Sequence, residues 1–382
     1  MKIEEVHFNH DTSSASSDAL NIRKNASGGP IVAPEWKSGQ IPQPAAYASA
    51  AIGNQVAIKA KFSQGPSDGA RQIRAIDAYL PPAVPSGCLG WLLSLIAQIL
   101  RALFGNILGD AQETTVAFDA AGNSGLETFV LINHKLKTSG VGIHTTTWKW
   151  QVKHKKKWID FDTTQHRTYL VLAIPNGPWE QSPGNNTQLP WTDALDKACL
   201  WALGAKIMDD AAAKVTLAIN GQPNQSYTPV TMFGFSPPYQ LTSYMNQLDS
   251  GLHFSLNCTD CADAVTTFAN LLGCDLWEGR FFNMVTRRFL PLNGNPAVDA
   301  DWVSWTWGYH EICWLNSMGQ NQNIYDGCLQ VDMDDNYGDT LHVPHNPIKM
   351  RFGMSGPSDY RFRLIQSGAG NLENIPRRRA VG

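Results

Sequence analysis

The feature that most constrains this chain is a change of hydrophobic period partway along it. From Gln55 the apolar residues alternate with polar ones: in "VAIKAKF", Val56, Ile58 and Phe62 share one face and Lys59 and Lys61 the other. A period of two marks a half-buried strand. "RQIRAIDAYL", "ETTVAFDA", "ETFVLINHKL", "TTTWKWQV", "KKWIDFDTT" and "HRTYLVLAIP" continue in that style. Turn signals recur at the spacing of about 8–12 residues that marks sandwiches. The pattern predicts an antiparallel β-sandwich over residues 46–178. Residues 1–45 are polar, rich in Ser and Asn and punctuated by Pro, and predict an extended, loosely attached segment.

After "PNGPWEQSPGNN", which reads as a linker, the period lengthens. "LPWTDALDKACLWALGAKIMDDAAA" places Thr192 as an N-cap and spaces Ala194, Leu195, Ala198, Leu203 and Ile207 as on a helix. A second helix begins near Cys258, and strand-like segments occupy about 300–345. Helices first and strands second predict an α+β domain over 185–345, with 346–382 as a C-terminal extension. No internal repeat is visible.

One segment interrupts the strands: "CLGWLLSLIAQILRALFGNILG", Cys88 to Gly109. On a helical wheel Ser94, Gln98, Arg101 and Gly105 make one narrow polar stripe, and Trp91, Leu95, Ile99 and Leu103 belong to the apolar remainder. The segment predicts a helix inserted between strands and capping their sheet. Contact with a membrane or a partner is the alternative, and a transmembrane span is disfavoured by the polar stripe. "MKIEEVHFNHD" lacks the apolar core of a signal peptide, so the chain reads as cytoplasmic, or exported without such a peptide.

Charged residues are 16% of the chain, against about 25% in ordinary soluble domains. Asn, Gln, Ser, Thr, Gly and thirteen Trp take their place. A net charge of −3 provides no broad basic field, which argues against nucleic acid as a partner. The one lysine cluster, "KHKKKW" at 153–158, reads as a solvated hairpin tip. Low charge, many Trp and an apolar insertion fit an exported bacterial toxin or effector.

Seven cysteines, an odd and scattered set, suggest reduced thiols rather than a disulfide framework. Three fall in "LNCTDCADAVTTFANLLGCDL". Asn257 is a good N-cap, Asp260 falls in the first turn and Gly273 is a natural C′ residue, so a helix is predicted over 258–272. Cys258 stands in its first turn, where free N–H groups and the positive end of the dipole favour a thiolate nucleophile. Cys199, Cys261 and Cys274 read as small core residues.

A thiol nucleophile needs a base, and the base an orienting group. Trp302–Trp314 and Asn323–Asp332 alternate as two strands joined by the turn-rich "NSMGQNQN". A hairpin symmetric about Met318 sets Ile312 against Ile324 and His310 against Asp326. Directly opposed Cβ atoms lie about 4.5–5.5 Å apart, within reach of an imidazole–carboxylate hydrogen bond. By alternation Trp305 and Trp307 pack the far side of the sheet, while Trp314 shares His310's face and lines a substrate channel.

With those residues in view a resemblance emerges. "CTDCADAVTTFANLLG" resembles the nucleophile helix of the transglutaminase-like superfamily, with Asp260, Ala262, Leu272 and Gly273 in step behind Cys258. "HEICWLNSMGQNQNIYD" is similar to that superfamily's His strand and Asp strand. The resemblance covers about 185–340. It implies a papain-like/transglutaminase-like α+β catalytic domain behind the β-sandwich, a Cys258–His310–Asp326 triad and no cofactor or metal. It further implies acyl transfer on peptide or glutamine amides through a thioester, as protease, deamidase or cross-linker, with a protein or peptide as substrate. Cys261 departs from the family, standing where an aromatic or bulky residue is usual. Leu252 stands where papain-like proteases carry a Gln oxyanion donor, and Trp201 lies far from the place of the transglutaminase Trp. The backbone N–H of Cys258 supplies one oxyanion donor, and Gln247, His253 and Asn257 are candidates for another.

Two other readings compete. A C-x-x-C zinc or disulfide-exchange site needs further ligands, for which "HVPH" at 342–345 is a distant candidate. A binding or membrane-acting effector with a vestigial triad would work through the 88–109 helix. "DMDDNYGD" at 332–339 imitates a calcium loop, but Gly338 comes one place late, and it reads as a polar turn. Oligomeric state is left open.

Overall fold

A computed structural model describes residues 1–10, 18–78, 106–177, 179, 189–234, 238–337 and 339–382. The chain is mixed α+β and mostly sheet. It divides into two compact units, Met1–Ile174 with Leu189–Lys206, and Pro175–Gln188 with Ile207–Gly382.

The first unit begins with β1 (Lys2–His7), β2 (Ile22–Arg23), β3 (Pro30–Ile31), β4 (Trp36–Lys37), β5 (Ala45–Ala48) and β6 (Ala57–Ser63). It continues with β7 (Gly69–Asp77), β8 (Asp110–Phe118), β9 (Glu127–Ile132), β10 (Gly142–His154), β11 (Lys157–Val171) and helix α1 (Thr192–Trp201). Nine strands form one sheet in the order β4-β1-β6-β9-β8-β7-β10-β11-β5. The sheet curls until its ends face each other: Phe62 of β6 and Phe129 of β9 meet Trp150 of β10 at 5.3 and 5.5 Å between ring centroids. Ile3 N–H donates to Asp162 Oδ2 across the curl at 3.1 Å. The alternation after Gln55 therefore belongs to one continuous curled sheet, and its edge pair β11–β5 is parallel rather than antiparallel.

The described residues of the 1–45 segment are not loosely attached. β1 pairs with β6 and β4, and Ile3, Val6 and Phe8 lie in the core. Ile3 and Val6 are three apart, which hides a strand from a period-two reading. A register shift between Ile3 and Glu5 turns both inward. The predicted helix at 88–109 falls mostly outside the described residues. Its last four residues are a loop in which Ile107 and Leu108 are buried. Gly109 takes φ +68°, and a Cβ there would meet Ile132 O at 2.0 Å. Among the described helices none is long and apolar enough to cross a membrane. The lysine cluster is the β10–β11 hairpin tip, with Lys155 at φ 56°.

The second unit opens with α2 (Met208–Asn220), β12 (Gln225–Tyr227), α3 (Leu241–Ser250), β13 (Phe254–Leu256), α4 (Cys258–Leu271) and β14 (Leu276–Thr286). There follow β15 (Phe289–Pro291), β16 (Thr306–Leu315), β17 (Asn323–Tyr325), β18 (Leu329–Asp332) and β19 (Pro344–His345). It closes with β20 (Ile348–Arg351), α5 (Tyr360–Leu364) and β21 (Ile365–Leu372). Its main sheet runs β20-β17-β16-β14-β21. Helix α4 lies on β16 and β14. Phe281, Ile312, Trp314, Ile324, Phe352 and Leu364 belong to the core on this sheet.

Three expected boundaries shift. The stretch from Thr192 is two helices, broken before Met208, where Gly204 takes φ +77°. Its first helix belongs with the first unit, held there by Thr192 Oγ1 on Lys24 O and Arg167 on Asp196. Residues 346–382 are no appendage: β20 and β21 are both edges of the main sheet, strands too short or Gly-interrupted to read by alternation. Of the linker, Asn176 donates to Cys274 O at 2.6 Å and Trp179 Nε1 to Thr267 O at 3.1 Å, so its described start packs on α4 and the loop after it.

Candidate active site

Asn257 sets the start of α4. Its side chain accepts from Asp260 N–H at 3.0 Å, and Asp260 Oδ2 accepts from Asn257 N–H at 3.1 Å, a reciprocal capping box. The same buried carboxylate takes the N–H groups of Met232, Phe233 and Gly234 at 2.9, 2.7 and 2.8 Å. Burial pushes the Asp260 carboxyl up, and these backbone donors pull against it. One side chain thus ties the helix start to the 232–234 loop. Gly273 at φ 84° closes the helix.

Cys258 is the first residue of α4 and is 4% exposed. It opens on a cleft of about 490 Å³ whose walls are largely aromatic, with Tyr227, Trp305, Trp307 and Tyr309 among the lining. His310 comes from the middle of β16 and is fully buried. Its Nε2 lies 2.9 Å from Asp326 Oδ2. Trp307 stacks on the imidazole at 4.6 Å and 13°, and Phe281 meets it edge-on at 5.5 Å. Those contacts leave the ring one orientation, in which Nδ1 carries no hydrogen bond. Burial would lower the imidazole's pKa. The Asp326 carboxylate more than offsets this, the Cys258 thiol adds to the effect, and the value is raised to about 10.

Asp326 is itself held from three sides. Oδ2 accepts from His310 and from the Tyr360 hydroxyl at 2.7 Å, and Oδ1 accepts from Cys328 N–H at 2.8 Å. The register differs from the symmetric hairpin: Cys313 pairs with Tyr325 and Trp314 with Ile324, two residues from the expected partners. The turn is centred one residue later, with Asn316 at φ 66°. Asp326 has left the ladder, its N–H donating to Pro347 O at 3.0 Å, and reaches His310 diagonally.

The indoles of Trp305 and Trp307 leave the side alternation assigns them, and Trp314 keeps His310's face without reaching the cleft. Trp305 and Trp307 line the cleft, while Trp314 is buried in the core against Phe352 at 5.2 Å and lines no channel. An indole is long enough to reach over a neighbouring ring, and Gly308 leaves the space beside Trp307 open. Gln247 is an exposed residue of α3, and exposed His253 faces Ser226 Oγ at 2.9 Å; neither lines the cleft. Asn257 does line it, with one side-chain hydrogen given to Thr231 Oγ1 at 2.6 Å. His342 of the "HVPH" pair is committed elsewhere, its ring nitrogens facing Asp332 and Asp299 at 2.7 and 3.0 Å. Sequence reasoning passes over Tyr360 and Tyr227, since a lone Tyr far from any motif carries no spacing signal.

No protein-family model matches the chain. No curated protein matches it either. Among solved structures it is similar to the crystal structure of red sea bream transglutaminase, with 8% identity and a TM-score of 0.40 over 92% of this chain. The match spans 56% of that longer chain. At such low identity the chemistry of the site has to be read from its own side chains.

Proposed function

We propose that this chain is a cysteine-dependent acyl-transfer enzyme acting on peptide or glutamine amides through a thioester. One observation carries the reading: Cys258, at the start of a buried helix, opens on a cleft beside an imidazole that a carboxylate holds from behind at 2.9 Å. Asp326 fixes the tautomer by accepting from Nε2, which leaves Nδ1 for the thiol. In the first step the Cys258 sulfur, its proton already resting on the His310 imidazole, attacks the amide carbonyl and the C–S bond forms. The oxyanion faces the Cys258 N–H, which has no intrahelical acceptor at this position. The second side-chain hydrogen of Asn257 is a further donor at the same helix start.

His310 then returns the proton to the leaving nitrogen, the C–N bond breaks and a thioester remains. A pKa raised to about 10 suits a group that must hold a proton until an amine or ammonia takes it. Water or a second amine attacks the thioester and restores the thiol. Proteolysis, deamidation and cross-linking share these steps and differ in the amide bound and the second nucleophile.

The deciding experiment incubates wild type and Cys258→Ala with a mixed protein substrate and a primary amine. Mass spectrometry then reads cleavage, deamidation and amine incorporation together. At least one product class is expected with wild type and none with the variant; identical product lists from both would sink the reading.

A further inference from the structure

The C-x-x-C pair at the start of α4 is used by half in an acyl-transfer cycle built on Cys258. Cys258 and Cys261 are the first and fourth residues of the helix, and both are free thiols. Three residues along an α-helix separate Cα atoms by about 5 Å, inside the roughly 4.4–6.8 Å that disulfides span. The first turn has few hydrogen bonds N-terminal to it, so it can adjust to such a link. Cys258 is reached from the cleft, whereas Cys261 is sealed beneath, 1% exposed. One thiol is open to a small oxidant and its helical neighbour is shielded from it.

We propose that Cys261 is a resolving thiol, so that hydrogen peroxide converts Cys258 and Cys261 into an intrahelical disulfide that reversibly switches off the nucleophile. The proposal rests on the reading of Cys258 as that nucleophile. In the first step the Cys258 sulfur attacks one peroxide oxygen, the O–O bond breaks, and sulfur is oxidised to the sulfenic acid while the other oxygen leaves as water. In the second step Cys261 sulfur attacks Cys258 sulfur, the S–S bond forms, the S–O bond breaks and a second water departs. Two thiols and one peroxide thus yield one disulfide and two waters.

Burial pushes the Cys261 thiol up, which keeps it from competing for the oxidant. Cys328 is the rival resolver, since its side chain lies beside that of Cys261. Its backbone N–H, however, holds Asp326 Oδ1, and drawing it to Cys258 would break that bond. Helix geometry already sets Cys261 within reach.

The test uses the full chain as wild type, Cys261→Ala and Cys328→Ala. Each is treated with hydrogen peroxide, its free thiols are blocked with N-ethylmaleimide, and the peptides are mapped by mass. Wild type is expected to lose blocking at Cys258 and Cys261 together, with the mass of two hydrogens missing, and dithiothreitol is expected to restore both. Cys328→Ala should behave likewise. In Cys261→Ala, Cys258 should instead advance to sulfinic and sulfonic acid that dithiothreitol does not reverse. A wild-type link between Cys261 and Cys328 with Cys258 unlinked overturns the proposal, as does equal recovery of Cys258 in wild type and Cys261→Ala. The wild-type map needs no variant to fold and no turnover. A disulfide formed in a protein that fails the acyl-transfer assay would count against the proposed activity, and an active enzyme without the disulfide against this inference.

Discussion

Tyr360 donates its hydroxyl hydrogen to the same Asp326 oxygen that faces His310, at 2.7 Å against 2.9 Å. Burial, and then the Asp326 charge, push the phenol well up, so Tyr360 stays a donor at any working pH. The preceding residue, Asp359, is gripped by Arg351 Nε and Nη2 at 2.7 Å each and by Ser355 N–H at 2.7 Å. The segment after residue 346 therefore sets the position of the carboxylate that sets the imidazole. A hydrogen bond to a charged group contributes about 1.5–3 kcal/mol. Tyr360→Phe is expected to lower kcat about tenfold or more with KM little changed. A purely structural role would lower the folded fraction and leave the pH profile of Cys258 alkylation in place. Loss of the donor should leave the Asp326 carboxylate free to hold the His310 proton more tightly and move the alkaline limb of that profile upward.

Thiol reactivity should single out Cys258. Burial raises the thiols of Cys199, Cys261, Cys274, Cys313 and Cys328. Cys258 alone of these six lines the cleft. Iodoacetamide at neutral pH is expected to label it about tenfold faster than the other five, since reactivity follows thiolate character and access. His310→Ala should slow that labelling. Equal rates at all six sites, read by peptide mass, would mean that the imidazole does not act on the sulfur.

The His310–Asp326 pair also makes a prediction about stability. The imidazole's pKa is raised from 6.5 to about 10 in the folded chain. A group raised on folding stabilises fully below its unfolded value and loses that contribution as pH climbs through the folded one. The stabilisation should be complete below about pH 6.5 and gone above about pH 10. Thermal unfolding of wild type and His310→Gln, compared across that window, is expected to show a gap that narrows with rising pH. A gap that stays constant would mean the ring is not paired as a cation.

Helix α4 was legible because its signals are local: the Asn257 cap, Asp260 in the first turn and Gly273 at the end lie within one segment. Tertiary context moved its predicted end by a single residue. The His310–Asp326 contact was legible for a partly mistaken reason. The hairpin is offset, and the contact survives because a carboxylate just past a strand end can reach diagonally. Long-range consequences were not legible. Nothing in "SDYRF" announces that Tyr360 reaches back to Asp326, and β1 hides behind a bulge. Alternation also misassigned the indoles of Trp305 and Trp307, since large rings can cross faces that small side chains respect, whereas Trp314 keeps His310's face but packs into the core.

Beneath α4 a second charged cluster should govern acid and alkaline stability. Asp263, Glu278 and Glu311 are each no more than 1% exposed, and Arg379 bonds all three. Arg377 and Arg280 add contacts to Glu311 at 2.7 and 3.0 Å, and Thr259, beside Cys258, donates to Glu311 at 2.7 Å. Burial pushes the Asp263 carboxyl up to about 7 against the pull of Arg379, and burial with the neighbouring Asp263 charge pushes Glu278 well up. Removing one member of a buried ion cluster costs about 3–5 kcal/mol. Arg379→Met is expected to do so near pH 8, where the ionised Asp263 is left without its cation. Asp263 is raised on folding, so its contribution is full below its unfolded value of 3.8 and lost as pH rises through about 7. Without Arg379 the carboxyls rise further and take up protons sooner as pH falls, so the cost should shrink toward about pH 5. Urea unfolding of wild type and Arg379→Met at the two pH values reads the difference directly. A deficit that is the same at both, or larger in acid, would show that Arg379 does not act by neutralising these carboxylates.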